Sequence, residues 1–180
     1  MNVIASDLSG VLEIRPKVFS DERGFFVETW QSERYCSLGL PERFVQDNHS
    51  FSVKGTLRGL HFQKKSPQGK LIYAVTGEVF DVVVDIRRDS PTFGSWRSFC
   101  LSEKQCNQLW IPPGFAHGFL TLSPSAHIIY KCTDFYHPED EGSICWNDPT
   151  LSISWPLYDS PLLSKKDAAA PSFSEVLKSL

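Results

Sequence analysis

Between Glu78 and Ile86 the chain alternates. Val79, Asp81, Val83 and Asp85 fall on one side of an extended segment, and Phe80, Val82, Val84 and Ile86 on the other. A period of two is that of a β-strand, and the alternation suits a sheet with one side against a core. Short segments of the same kind recur along the chain: LEIRPKVF, RGFFVETW, NHSFSV, TLRGLHFQ, KLIYAV, WRSFCL, NQLWIP, GFLTL, AHIIYKC and ISWPL, each bounded by Gly, Pro, Asn, Asp or Ser. KLIYAV and EVFDVVVDI meet at Thr76-Gly77, which predicts a tight hairpin between them. Helical signals are few. SERYCSLGL predicts a short helix starting near Ser32 and ending at Gly39, and DAAAPSFSEVLKSL a turn followed by a short helix after Pro171.

Many short strands with little helix predict an all-β sandwich or barrel, and a double-sheet jelly roll with short peripheral helices is favoured because its mouth can hold a small ligand. No internal repeat, low-complexity tract or linker divides the 180 residues, so residues 1–180 are read as a single domain. Its five cysteines are scattered and odd in number, which argues for reduced thiols in a cytoplasmic setting rather than a disulfide framework. No secretory leader and no apolar run of membrane-spanning length are evident, so no membrane association is expected. A net charge of −3 argues against a surface that coats nucleic acid, but leaves room for an anionic small molecule held by a few focused cations.

The stretch GTLRGLHFQKKSPQGKL places Arg58, His61 and Lys70 among strand-forming residues. Further on, Pro112, Gly114 and His117 fit P-x-G-x-x-H, the second half of the metal motif of cupin jelly rolls. The first half needs a second histidine where the chain has His61-Phe62-Gln63, so a metal site is not expected. A lone His61 is either a core histidine bonded to backbone or a proton acceptor. Lys70 and Tyr130 on other predicted strands favour the second, because imidazole, ammonium and phenol together suit proton abstraction beside a carbonyl. Asp167 is either a helix N-cap or the carboxylate that orients His61. Arg23 and Arg58 are candidates for phosphate, Arg58 the stronger because it sits mid-strand among apolar residues. Arg58 and His61 differ by three positions, so a regular strand points them to opposite faces. For both to line one pocket the chain must bulge, and Gly59 is the residue that permits it.

Taken in order, DERGFFVETW, FVQDNHS, LRGLHFQ, PQGKL, GEVFDVVVDIRRDSPTFG, LWIPPGFAHGFL, YKCTDFYHPEDEGSICWNDP and SKKDAAAP resemble the dTDP-4-dehydrorhamnose 3,5-epimerases over nearly the whole chain. The resemblance implies a cupin-like jelly-roll isomerase, a homodimer, with neither cofactor nor metal. The implied reaction inverts carbons 3 and 5 of dTDP-4-dehydro-6-deoxy-D-glucose, beside the carbon-4 ketone. By the same resemblance His61 is the base, Asp167 its partner, Tyr130 the acid of the opposite face and Lys70 the cation near the carbon-4 oxygen. Arg23, Glu28, Gln46, Asp47, Asn48, Arg58, His117, Glu141 and Lys166 fall where the family binds nucleotide, diphosphate or sugar, and Phe135 and Tyr136 where an aromatic stacks on thymine. Two rival readings share these motifs: an epimerase of carbon 3 or carbon 5 alone, and a non-catalytic sugar-nucleotide-binding jelly roll.

Overall fold

The computed structural model describes residues 1–178. The strands are β1 (Asn2–Ala5), β2 (Leu12–Arg15), β3 (Val18–Asp21), β4 (Gly24–Val27), β5 (Gln46–Val53), β6 (Leu57–Gln63), β7 (Lys70–Thr76), β8 (Glu78–Asp85), β9 (Trp96–Ser102), β10 (Gln108–Ile111), β11 (Phe115–Thr121), β12 (Ser125–Cys132) and β13 (Glu141–Ser143). The helices are short: α1 (Ser32–Cys36), α2 (Lys165–Ala168) and α3 (Phe173–Leu177). Six strands form one antiparallel sheet in the order β1-β2-β10-β7-β12-β5, and five form a second in the order β13-β6-β11-β8-β9. The sheets enclose an apolar layer in which Ile72, Leu109 and Ile128 of the first meet Val83, Leu101 and Phe119 of the second. This is the expected double-sheet jelly roll with peripheral helices.

Three local expectations change. Thr76-Gly77 does not close a hairpin, because β7 belongs to one sheet and β8 to the other. The chain changes sheet there through Gly77, whose φ is +79° and where a Cβ would lie 2.2 Å from the Ser125 carbonyl oxygen, so only glycine fits. LEIRPKVF is two strands, divided at Pro16, which has no N–H for a ladder. ISWPL is not a strand: Trp155 N–H donates to the Ile153 carbonyl and Leu157 N–H to that of Trp155, so tight turns use the donors of this proline-containing segment.

β8 is also buried on both faces. Val79 and Val83 enter the layer between the sheets, while Val82, Val84 and Ile86 are covered by Leu151, Phe173 and Val176 of the C-terminal segment. That cover is held by a capping box at α3, where Ser172 and Glu175 each accept from the other's backbone N–H. The six-stranded sheet is covered outside only in part. α1 begins at Gln31, whose side chain accepts from Arg34 N–H, and it buries Tyr35 against Leu71 and Trp110. Tyr35 also donates to Gln108 Oε1 at 2.7 Å, so its buried hydroxyl is satisfied. Further along that face Phe51, Val53 and Val75 remain exposed. Among the described residues no helix is long and apolar enough to cross a membrane.

Candidate active site

A cavity of about 320 Å³ opens between the two sheets, with side chains from β5, β6, β7, β11 and β12 in its wall. β6 reaches it through the expected irregularity. In its pairing with β11, His61 stands opposite His117 and Arg58 opposite Phe119, so two residues of β6 span one of β11. Gly59, at φ +127°, lies in this bulge and packs so closely on Gly118 that a Cβ there would be 2.6 Å from the Gly118 Cα. The bulge brings Arg58 and His61 into the wall of the same cavity.

His61 Nε2 lies 2.5 Å from Asp167 Oδ1. Asp167 stands in the first turn of α2, and its Oδ2 accepts from the Ser164 hydroxyl at 2.7 Å. The N-cap of α2 is Ser164, which leaves the Asp167 carboxylate free for the imidazole. Burial alone would raise the Asp167 carboxyl, but hydrogen bonds from His61 and Ser164 hold it below the usual carboxylate range. An ionised partner on Nε2 fixes that nitrogen as the protonated one and leaves Nδ1 as the basic nitrogen of a ring that lines the cavity.

Lys70 and Tyr130 come from the other sheet, on the neighbouring strands β7 and β12. Burial pushes the Lys70 ammonium below its ordinary value, against the pull of Cys132, Glu141 and Asp81. Burial pushes the Tyr130 phenol up, Cys132 adds to this and Arg58 opposes it, so the hydroxyl keeps its proton at neutral pH. His117 enters from β11, with Nε2 2.8 Å from Asp81 Oδ2.

One end of the cavity is polar. Gln46 and Asn48 line it from β5, with Gln63, Gln68, Tyr136 and Glu141. Tyr136 donates to Glu141 Oε2 at 2.7 Å, and Lys166 pairs with the same carboxylate. Burial would raise Glu141, but these two donors hold it below the usual range.

Arg23, Glu28, Asp47 and Lys166 are not in the wall of this cavity, and Lys166 meets it only through Glu141. Asp47 alternates with Gln46 and Asn48, so strand parity turns it outward to Lys131, 2.9 Å away. Glu28 follows β4 and is paired with Arg34 at 2.5 Å. Arg23 sits at the tip of the exposed β3–β4 hairpin, bound to Asp21 at 2.6 Å. Phe135 is exposed outside the wall, whereas its neighbour Tyr136 is in it. Sequence reasoning passed over Asp81, Ser50, Gln63 and Gln68. Asp81 carried a signal, as an acid on the inward face of an apolar strand; the others are ordinary polar residues whose place only the fold reveals. Among the described residues no three His, Cys, Asp or Glu side chains gather as a metal site.

An imidazole tied to a carboxylate on one sheet, across a cavity from a lysine and a phenol on the other, is an acid–base set of the kind isomerases use, held in a jelly roll. Comparison with known proteins specifies it. The family model for dTDP-4-dehydrorhamnose 3,5-epimerase matches residues 5–175. The dTDP-4-dehydrorhamnose 3,5-epimerase of Salmonella typhimurium is 54% identical over 179 residues, covering 98% of both chains. That of Neisseria gonorrhoeae is 50% identical over 99% of this chain, which spans 55% of that longer relative. A solved Legionella pneumophila dTDP-6-deoxy-D-glucose-3,5-epimerase, in complex with dTDP-4-keto-L-rhamnose, superposes with a TM-score of 0.94 at 54% identity, covering 96% of this chain and 93% of that one. A 3'-monoepimerase of Streptomyces bikiniensis in complex with dTDP-quinovose superposes with a TM-score of 0.90 at 34% identity, covering 97% and 90%. The chain belongs to the dTDP-4-dehydrorhamnose 3,5-epimerase family, isomerases of dTDP-rhamnose biosynthesis with a cupin-like fold.

Proposed function

We propose that the chain inverts carbons 3 and 5 of dTDP-4-dehydro-6-deoxy-D-glucose through His61, Lys70 and Tyr130, without a cofactor. The observation that carries this reading is that His61 and Tyr130 stand on opposite sheets across one cavity. An inversion needs a proton removed from one face of a carbon and returned to the other, so a base and an acid must flank the sugar ring. His61 Nδ1 takes the proton from the carbon beside the ketone. The C–H electron pair moves into the ring, and the carbon-4 oxygen takes the negative charge. Lys70 donates a hydrogen bond to that oxygen. The Tyr130 hydroxyl then protonates the carbon from the far side, the enolate collapses to the ketone, and solvent restores the proton of Tyr130 and removes that of His61. Carbons 3 and 5 flank the same ketone, so one set of groups serves both.

Arg58 suits the diphosphate, and the polar end with Gln46, Asn48, Glu141, Lys166 and Tyr136 suits the nucleoside. Incubation with the substrate in heavy water tests the reading by NMR. Deuterium is expected at both carbons. Entry at one carbon only would mean a single-carbon epimerase, and entry at neither a binding protein.

The reading includes a homodimer. Phe19, Phe25 and Phe26 on the β3–β4 hairpin are 52%, 63% and 67% exposed, and the outer sheet face at Phe51, Val53 and Val75 has no cover. A second copy provides both surfaces with apolar partners and gives Arg23 a diphosphate to reach in the neighbouring cavity. Sedimentation is expected to show a dimer, and the double substitution Phe25→Ser, Phe26→Ser a monomer with weakened substrate binding. A monomeric parent protein would sink this part. A reducing, cytoplasmic setting completes the reading, supported by five scattered cysteines, all free thiols.

A further inference from the structure

Asp81 and Asp85 lie on one strand face, and both are 0% exposed, yet their surroundings differ. Asp85 is saturated, accepting from Arg87, Ser90 and Thr92. Asp81 is bonded to His117 alone, through Oδ2, and its Oδ1 has no partner. A carboxylate oxygen buried without a donor is destabilising, and Asp81 stands between Val79 and Val83 in the apolar layer. Packing gives no reason for an acid there. The cavity does, because His117 and Lys70 both line it. Among the described residues Lys70 Nζ has no hydrogen bond or ion pair of its own.

Resting on the reading of Lys70 as the group at the carbon-4 oxygen, we propose that Asp81 is a positioning residue for the epimerisation: it pins the His117 ring through Nε2 and is the buried counter-charge that keeps Lys70 an ammonium. Two histidines that face each other across β6 and β11 are then each tied through Nε2 to a buried carboxylate, and both line the cavity. The tie to Asp167 makes His61 a base. The tie to Asp81 holds His117 still beside it and serves the charge of the opposite wall. Burial holds the Asp81 carboxyl above its ordinary value, against the pull of His117 and then Lys70 toward the ionised form. Lys70 is in turn pushed down by burial and held up by Cys132, Glu141 and Asp81. Arg58, His61, His117, Tyr130, Tyr136 and Glu141 are the other titratable groups that line the cavity with it.

Asp81→Asn tests this, since it keeps the shape and a hydrogen bond to His117 and removes only the charge. The expected result is a kcat lowered at least ~10-fold with a smaller change in KM. The high-pH limb of the kcat profile is also expected to move to lower pH, because Lys70 loses a group that favours its proton. A merely structural role would not move that limb. If the variant does not fold, 15N NMR of histidine-labelled wild-type protein decides: the His117 proton must sit on Nε2, since an ionised Asp81 can only accept. A wild-type profile in Asp81→Asn, or a His117 proton on Nδ1, overturns the proposal. Lys70→Met separates the two levels. Full activity in that variant removes the underlying reading, whereas an inactive Lys70→Met beside an unaltered Asp81→Asn removes the role of Asp81 alone.

Discussion

His61→Ala is expected to lower turnover by ~10²- to 10⁴-fold, the usual contribution of a positioned general base, and to stop deuterium entering carbon 3 and carbon 5 together. The joint loss follows from the geometry. One imidazole, held by Asp167 at 2.5 Å, faces the cavity from the five-stranded sheet, and both carbons flank one ketone. Asp167→Asn keeps the side chain and removes its charge, so a smaller fall is expected, with exchange slowed equally at the two carbons. Tyr130→Phe should behave differently. The base still removes protons and returns them from its own side, so exchange continues while inversion slows. Heavy-water NMR reads all three variants. Exchange that survives at one carbon in His61→Ala would reveal a second base and sink the single-base account.

The strands were legible because alternation is a local property, and so was the bulge at Gly59, which the spacing of Arg58 and His61 demands. Partnership between strands was not. KLIYAV and EVFDVVVDI are adjacent and equally strand-like, and nothing in either tells whether Gly77 turns the chain back on itself or over into the other sheet. Strand β13, three residues long and containing Gly142, is too short for any periodic signal, although it carries Glu141 into the cavity wall. In the site, the residue types of the acid–base set could be read, but the pairing of His61 with Asp167 joins positions 106 residues apart, and only the folded C-terminal segment makes it. Asp47 is the instructive contrast. Its parity with Gln46 and Asn48 was available in the sequence and already turns it away from the face those two share. Arg23 sits on an exposed hairpin outside the cavity wall, and only the proposed second copy gives it a part in binding.

Lys70→Met is expected to lower kcat by ~10²- to 10³-fold, the effect of removing one oxyanion donor, and to make the protein more stable. The two effects have one origin. Burial in the cavity wall outweighs the pull of Cys132, Glu141 and Asp81 on the Lys70 ammonium, so the folded protein without substrate holds a partly desolvated charge that methionine does not bring. Its value in the folded state is pushed below the ordinary 10.5 by burial. The destabilisation is therefore complete at pH values where folded and unfolded chains both hold the proton. It fades as pH rises through the folded value toward 10.5. Thermal melts of parent and variant should thus differ most near neutrality and converge in alkali, while the enolate charge is met only in the catalysed reaction. A variant that is less stable than the parent would make Lys70 a structural residue. A variant that keeps its turnover would leave the carbon-4 oxygen to another donor.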